Sequence, residues 1–270
     1  MYNEALDYMA QTGATKATLA RTRLLAFLVG GAMAGAYIGF GDIIMFTAGA
    51  HADPAWSHLI MGAVFSAALT IVVFAGAELF TGMAMYMPIA VMAKKATIGD
   101  LVRVWVTGWV GNLIGAFVLA VLLHAAGGGV LLGDGSQQFF AIVQAKMSAP
   151  AGQLLARGIL CNWLVCLAIW MSSRTSDATA RIMLIFWPIT IFVAAGFEHS
   201  VANMFAFCMA LVGDHPEGIT IAGAAKNLFF VTVGNIIGGG VFIACGYWLQ
   251  GNNKAADAKQ QSAGTHAPAE

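Results

Sequence analysis

The chain has 270 residues, 59% of them hydrophobic and 10% charged, with a mean hydropathy of +0.78. Soluble domains carry about 25% charged residues, so most of this surface faces lipid and a soluble enzyme or scaffold is excluded. Its 13 basic and 13 acidic residues cancel, which leaves no excess positive charge for a nucleic-acid partner.

The first residues, "MYNEALDYMAQTGATKATLAR", are polar and lack the apolar core and cleavage pattern of a signal peptide. Insertion is therefore expected to use the first spanning helix itself. Residues 1–23 form a cytoplasmic N-terminal segment in which residues 4–20 predict a short surface helix, with Leu6, Met9 and Leu19 on its apolar side. A bilayer core of ~30 Å needs about 20 helical residues, and six regions meet that length: residues 24–50, 59–93, 101–126, 151–173, 182–212 and 219–249. The second and fifth are too long for one straight crossing, since Ile182 to Val212 would run to roughly 46 Å as a continuous helix. Each is interrupted near its middle, by "GAELFTG" (76–82) in one and "GFEHS" (196–200) in the other. The tail, residues 250–270, is small and polar and is expected to be disordered.

Six crossings put both ends on one side, and ten of the 13 Lys and Arg fall on that side: Lys16, Arg21, Arg23, Lys94, Lys95, Arg103, Arg174, Arg181, Lys254 and Lys259. The opposite loops hold mainly Asp53, Asp134, Asp214 and Glu217. By the positive-inside rule both termini are cytoplasmic.

The third and sixth regions share a motif, "VGNLIGAF" at 110–117 and "VGNIIGGG" at 233–240, 123 residues apart. The same offset places Gly35 on Gly158, and the two interruptions correspond through Glu78 and Glu198. The expected fold is thus an all-α integral membrane protein with six transmembrane helices as two inverted three-helix repeats, residues 24–126 and 151–249, within a domain at 24–249. Its second and fifth helices are broken, the plan of many transport proteins. Glycines spaced by four (Gly31, Gly35 and Gly39; Gly111 and Gly115; Gly234 and Gly238) mark stripes where backbones approach.

Charge inside such a chain is costly, at least ~3 kcal/mol at the bilayer centre, so Glu78, Glu198 and His199 need partners or water. Each helix restart offers free N–H groups at its positive end. Glu78 and Ser200 are therefore read as supports of the two breaks. His199, beside a carboxylate at a break, is the candidate for contact with a solute, because an imidazole donates or accepts and changes charge near neutral pH. The remaining histidines lie at span ends, in loops or in the tail, and build no metal site. Cys161, Cys166, Cys208 and Cys245 fall in apolar segments without CxxC spacing and are read as buried hydrophobes.

Four ordered stretches, "AELFTG" (77–82), "GILCNWLVCLAIWM" (158–171), "GFEHSVANMF" (196–205) and "VTVGNIIGG" (231–239), resemble the formate/nitrite transporter family over about residues 20–250. "GAMAGAYIGFG" (31–41) and "LCNWLVCLAIWM" resemble its nitrite-channel branch most. The resemblance implies an aquaporin-like fold, a homopentamer with one pore per protomer, and a bacterial inner membrane, with no cofactor and no metal. It makes His199 the central pore histidine, Thr81 its partner across the pore, and Glu198 the residue that orients the ring. It puts Asn162 on the pore-lining fourth helix and Lys146 in an outer vestibule. Apolar slits map to Phe65 and Phe192 on the outside and to Leu69, Phe80 and Val165 toward the cytoplasm. Two positions depart from the family pattern: Asp42, where an apolar residue is expected, and Arg157, where the nitrite branch has lysine.

The expected function is passage of small monovalent anions of weak acids, nitrite first. Lys146 and Arg157 gather anions by electrostatic focusing. His199 shares a proton, because a neutral acid crosses an apolar slit at far lower desolvation cost than its anion. Formate or hydrosulfide would suit the same design. A neutral-solute pore of the water/glycerol type is the rival, and the lack of an Asn-Pro-Ala pair counts against it. A membrane enzyme built on Glu198–His199 lacks a visible nucleophile or metal-ligand cluster.

Overall fold

A computed structural model describes residues 2–251, all in helices and their connections. Calls on residues 252–270, including Lys254, Lys259 and most of the expected tail, lie outside the described residues. The elements in order are α1 (Asn3–Thr22), α2 (Leu24–Ala50), α3 (Ser57–Ala75), α4 (Phe80–Met92) and α5 (Ile98–Ala125). Then come α6 (Gly129–Leu132), α7 (Ser136–Ser148), α8 (Ala151–Ser172), α9 (Ala178–Ala194), α10 (Ser200–Val212) and α11 (Ile221–Ile237). From α11 the chain continues through a π-helical stretch, Gly238–Cys245, into α12 (Gly246–Gly251). Five helical stretches are long and apolar enough to cross a membrane: α2, α3, α5, α8 and Ile221–Gly251. The apolar helices α4, α9 and α10 are shorter.

Local chemistry sets several ends. Thr97 and Asp100 form a reciprocal capping box that starts α5. Asp177 and Thr220 accept from the free N–H groups of Ala180 and Gly223 to start α9 and α11. The stops after α3 and α9 use glycines in the left-handed region, Gly76 (φ 77°) and Gly196 (φ 70°). These end the two helices within a residue or two of the interruptions read from sequence.

In lipid, apolar burial does not drive helices together, so close van der Waals contact must. The small-residue stripes provide it. Gly31 faces the Gly111 backbone, and Gly115 faces the carbonyl of Ala32, joining α2 to α5. Gly158 meets Gly234, and Gly238 meets the carbonyl of Ile159, joining α8 to α11 in the same way. The structural correspondence is therefore Gly31 with Gly158. The sequence-based match of Gly35 to Gly158 is wrong by one helical turn, an error that a four-residue glycine repeat invites. A methyl at Gly35 would lie 1.9 Å from the carbonyl oxygen of Asn112, whereas one at Gly152 meets nothing within 4 Å. Gly35→Ala should cost about 3 kcal/mol, the upper end for overpacking, and Gly152→Ala should gain up to about 1 kcal/mol of helix propensity. Thermal unfolding in detergent followed by size-exclusion chromatography reads both, and equal melting of the two variants would refute the close-approach account.

Residues 127–150, between α5 and α8, fold into α6 and α7. The N-terminal helix α1 is not a detached surface helix. Leu6 and Met9 are buried, and Gly13 fits so tightly that a methyl there would lie 2.6 Å from the carbonyl of Tyr86 in α4.

Candidate functional site

The connections α3–α4 and α9–α10 are short stretches of non-helical backbone inside an apolar bundle, so every polar group in them needs a partner. Two asparagines supply these. Asn112 of α5 donates through Nδ2 to the carbonyls of Gly31 (2.8 Å) and Glu78 (2.8 Å), and its Oδ1 accepts the N–H of Phe80 (2.9 Å). Asn235 of α11 donates to the carbonyls of Gly158 (2.8 Å) and Glu198 (3.0 Å), and its Oδ1 accepts the N–H of Ser200 (2.9 Å). Both side chains are fully buried. The same three bonds thus hold the start of α4 and the start of α10. The backbone repeats the pattern too: the Glu78 N–H donates to the carbonyl of Gly30 (3.0 Å), and that of Glu198 to the carbonyl of Arg157 (3.3 Å).

The two glutamates are also treated alike. Lys16 of α1 lies 2.5 Å from Glu78 Oε2, and Lys146 of α7 lies 3.0 Å from Glu198 Oε2. Asn203 donates to the same Glu198 oxygen at 2.6 Å and to Asn227 Oδ1 at 2.8 Å, while Asn227 donates to the Lys146 carbonyl at 2.8 Å. Glu198 is 3% exposed and Lys146 21%, so each charge is compensated where water is scarce.

These contacts correct two expectations. Among the described residues no hydrogen bond joins Glu198 to the His199 ring; the carboxylate serves Lys146 and Asn203. Lys146 is not a free vestibule charge, because its ammonium is tied to Glu198. Arg157, half-buried, borders neither of the cavities described below, and its contribution among the described bonds is its backbone carbonyl.

His199 is set by two other bonds. Its Nδ1 accepts the Ala202 N–H (3.1 Å), capping α10, and its Nε2 lies 3.0 Å from Thr81 Oγ1. A backbone N–H can only donate, so Nδ1 carries no proton here. The neutral ring therefore holds its hydrogen on Nε2 and donates it to the Thr81 hydroxyl, whose own hydrogen remains to be given. Thr81 is itself held from behind: its carbonyl accepts from Asn162 Nδ2 (3.1 Å) and from Cys166 Sγ (3.3 Å). Asn162 is fully buried and also donates to the Asn235 carbonyl at 2.6 Å. It braces Thr81 and is spent on backbone.

Two cavities lie near the Thr81–His199 pair: His199 borders one, Gly82 beside Thr81 borders the other, and Thr81 itself borders neither. One, of about 110 Å³ on the α7 side, is bordered by Phe65, Phe192, Lys146, Asn203 and His199. The other, of about 380 Å³ on the α1 side, is bordered by Leu69, Leu79, Gly82, Glu78 and Lys16. Phe65 and Leu69 are one turn apart on α3 and face different cavities. The Phe65 and Phe192 rings meet edge to face at 5.9 Å, and Phe192 stacks on the imidazole at 5.9 Å. Phe80 and Val165 are buried but border neither cavity. Phe80 instead borders an apolar groove with Trp105, Trp109 and Phe229. Ser200 Oγ is buried without a partner, so its support of the break is through its backbone N–H.

Sequence reasoning missed Asn112, Asn235, Asn203, Asn227 and Lys16. The first two stood in view inside the repeated "VGN", where attention went to the glycine. Among the described residues no group of three His, Cys, Asp or Glu side chains is arranged to hold a metal ion.

A family model described as formate/nitrite transporter matches residues 3–249. Nitrite transporter NirC of Escherichia coli (strain K12) is 42% identical over 265 residues, covering 97% of this chain and 98% of that protein. A solved structure described as an FNT family ion channel superposes with a TM-score of 0.89 at 43% identity, over 92% of this chain and 99% of its own. A pentameric formate channel with formate bound gives a TM-score of 0.72 at 31% identity, over 84% and 96% of the two chains.

Proposed function

This chain belongs to the formate/nitrite transporter family, a family of channels and transporters and not of enzymes, and on that premise we propose that it is a pentameric nitrite channel of a bacterial inner membrane. In this reading α3 with α4, and α9 with α10, are each one broken crossing, the two halves are inverted, and both termini are cytoplasmic. The matching bond sets of Asn112 and Asn235 support the inversion. The nitrite assignment draws on the relative named for nitrite, and the pentamer on the pentameric neighbour. Formate is the second candidate, because that neighbour holds formate.

The observation that carries the reading is the buried His199–Thr81 hydrogen bond beside a cavity that the Phe65–Phe192 pair also borders. An anion entering this apolar stretch loses its water, which is costly, while its neutral acid crosses far more readily. The ring and the hydroxyl form a relay with one entry and one exit. A proton taken at Nδ1 breaks the cap to Ala202, the Nε2 hydrogen passes to Thr81, and the threonine hydrogen passes to the anion. The products are the neutral acid and an imidazole protonated at Nδ1, which returns to its resting form by losing that proton and regaining one at Nε2. Charge is conserved: one proton enters and one leaves with the solute.

Competitive uptake of nitrite and formate into proteoliposomes at two pH values tests this. Nitrite should be taken up faster at the lower pH and should outcompete formate at equal concentration. Uptake of glycerol with no uptake of either anion would replace the proposal with a neutral-solute pore.

A further inference from the structure

Asp42 has no place in the relay and departs from the family pattern, yet the fold puts it against the site. It lies on α2 and is 1% exposed, and its Oδ2 is buried without a hydrogen-bond partner. The neighbouring Gly41 is pressed onto α3, where a methyl would lie 2.3 Å from Ala68 and 3.4 Å from Phe65. Asp42 therefore sits beside the Phe65–Phe192 contact and borders the same α7-side cavity as His199. The titratable groups facing this cavity from the surrounding elements are His58 of α3, Lys146 of α7 and His199 at the start of α10. None of them lies within 4.0 Å of the Asp42 carboxyl, and Lys146 is already bound to Glu198. An ionised carboxylate in this position would be buried with no cation of its own, which is a costly arrangement. A neutral carboxylic acid instead has an O–H to offer into the cavity.

The geometry points to Asp42 as a further binding residue that, as a neutral acid, donates a hydrogen bond to a small monovalent oxyanion or carboxylate in the α7-side cavity, before it reaches His199. This rests on the anion-pore reading above. The cavity then offers a permeating anion two donors of different kinds, the Asp42 hydroxyl and a remaining N–H of the Lys146 ammonium, around a space of about 110 Å³.

Nitrite uptake by proteoliposomes and infrared difference spectra together test the assignment. Asp42→Leu should raise the nitrite KM about tenfold, the loss of one donor to a charged acceptor, and Asp42→Asn, which keeps an N–H donor, should recover most of that loss. The wild-type spectrum should contain a neutral-carboxyl C=O band that Asp42→Asn removes, and sodium nitrite should shift it. A lower KM in both variants would mean an ionised, repelling Asp42 and would overturn the proposal, as would an unchanged KM in Asp42→Leu. If Asp42→Leu fails to fold, the band decides alone: its absence, or its indifference to both nitrite and formate, sinks the assignment. The anion-pore reading fails separately, if wild-type vesicles take up neither anion.

Discussion

Replacing His199 with asparagine should flatten the pH dependence of nitrite flux. Across the range where the relay is limited by proton supply, wild-type flux should change about tenfold per pH unit, as the concentration of the donated proton does, whereas the variant should change less than about twofold. Asparagine keeps an acceptor for the Ala202 N–H and a donor toward Thr81, so the geometry of the start of α10 survives while the proton path does not. What passes in the variant is the bare anion, and the vesicles should therefore develop a nitrite-dependent membrane potential that the wild type lacks. The measurement is flux and potential in proteoliposomes at three pH values. A variant with the wild-type pH profile would remove the imidazole from proton transfer and leave it a fixed hydrogen-bond donor.

The second large effect lies in the scaffold. Asn235→Leu nearly preserves volume but strands three buried groups, the carbonyls of Gly158 and Glu198 and the N–H of Ser200. An unsatisfied buried group costs about 1–3 kcal/mol, so the variant should lose about 4 kcal/mol after partial relaxation. Because those groups fix where α10 begins, His199 should lose its position as well, and nitrite flux should fall together with the melting temperature. Asn112→Leu should lower stability comparably through the start of α4. Melting in detergent and flux are the readouts. A stable Asn235→Leu protein with wild-type flux would show that the asparagine bonds are not what holds the breaks.

Much of this was legible because membrane helices obey few rules. Apolar length gave the helices, and Gly76 and Gly196 marked where α3 and α9 stop, since a left-handed turn needs glycine there. The Thr81–His199 pairing came through resemblance, because nothing local to either residue says that they meet across 118 positions. What stayed hidden depended on long-range partners. Resemblance made Lys146 a vestibule lysine but did not foretell its ion pair with Glu198, and Lys16 was counted only as a topological signal until α1 packed against α4. Asn162 was expected on the pore wall through resemblance alone, and its Nδ2 is spent on the backbone carbonyls of Thr81 and Asn235. The fold of residues 127–150 into α6 and α7 was not foreseen, because the apolar run in α7, Phe139–Val143, is far shorter than a membrane crossing.

The starts of α4 and α10 share their asparagine clamps and a lysine–glutamate pair but differ in the cap: that of α10 is His199, and that of α4 is Leu79. A solute in the proposed pore therefore meets a lysine–glutamate pair on either side and the imidazole on only one. Approaching from the α7 side, it reaches the imidazole directly; approaching from the α1 side, it must first pass a leucine. Such a pore would be a kinetic rectifier for protons, with its directionality set by the residue that caps one helix and not the other.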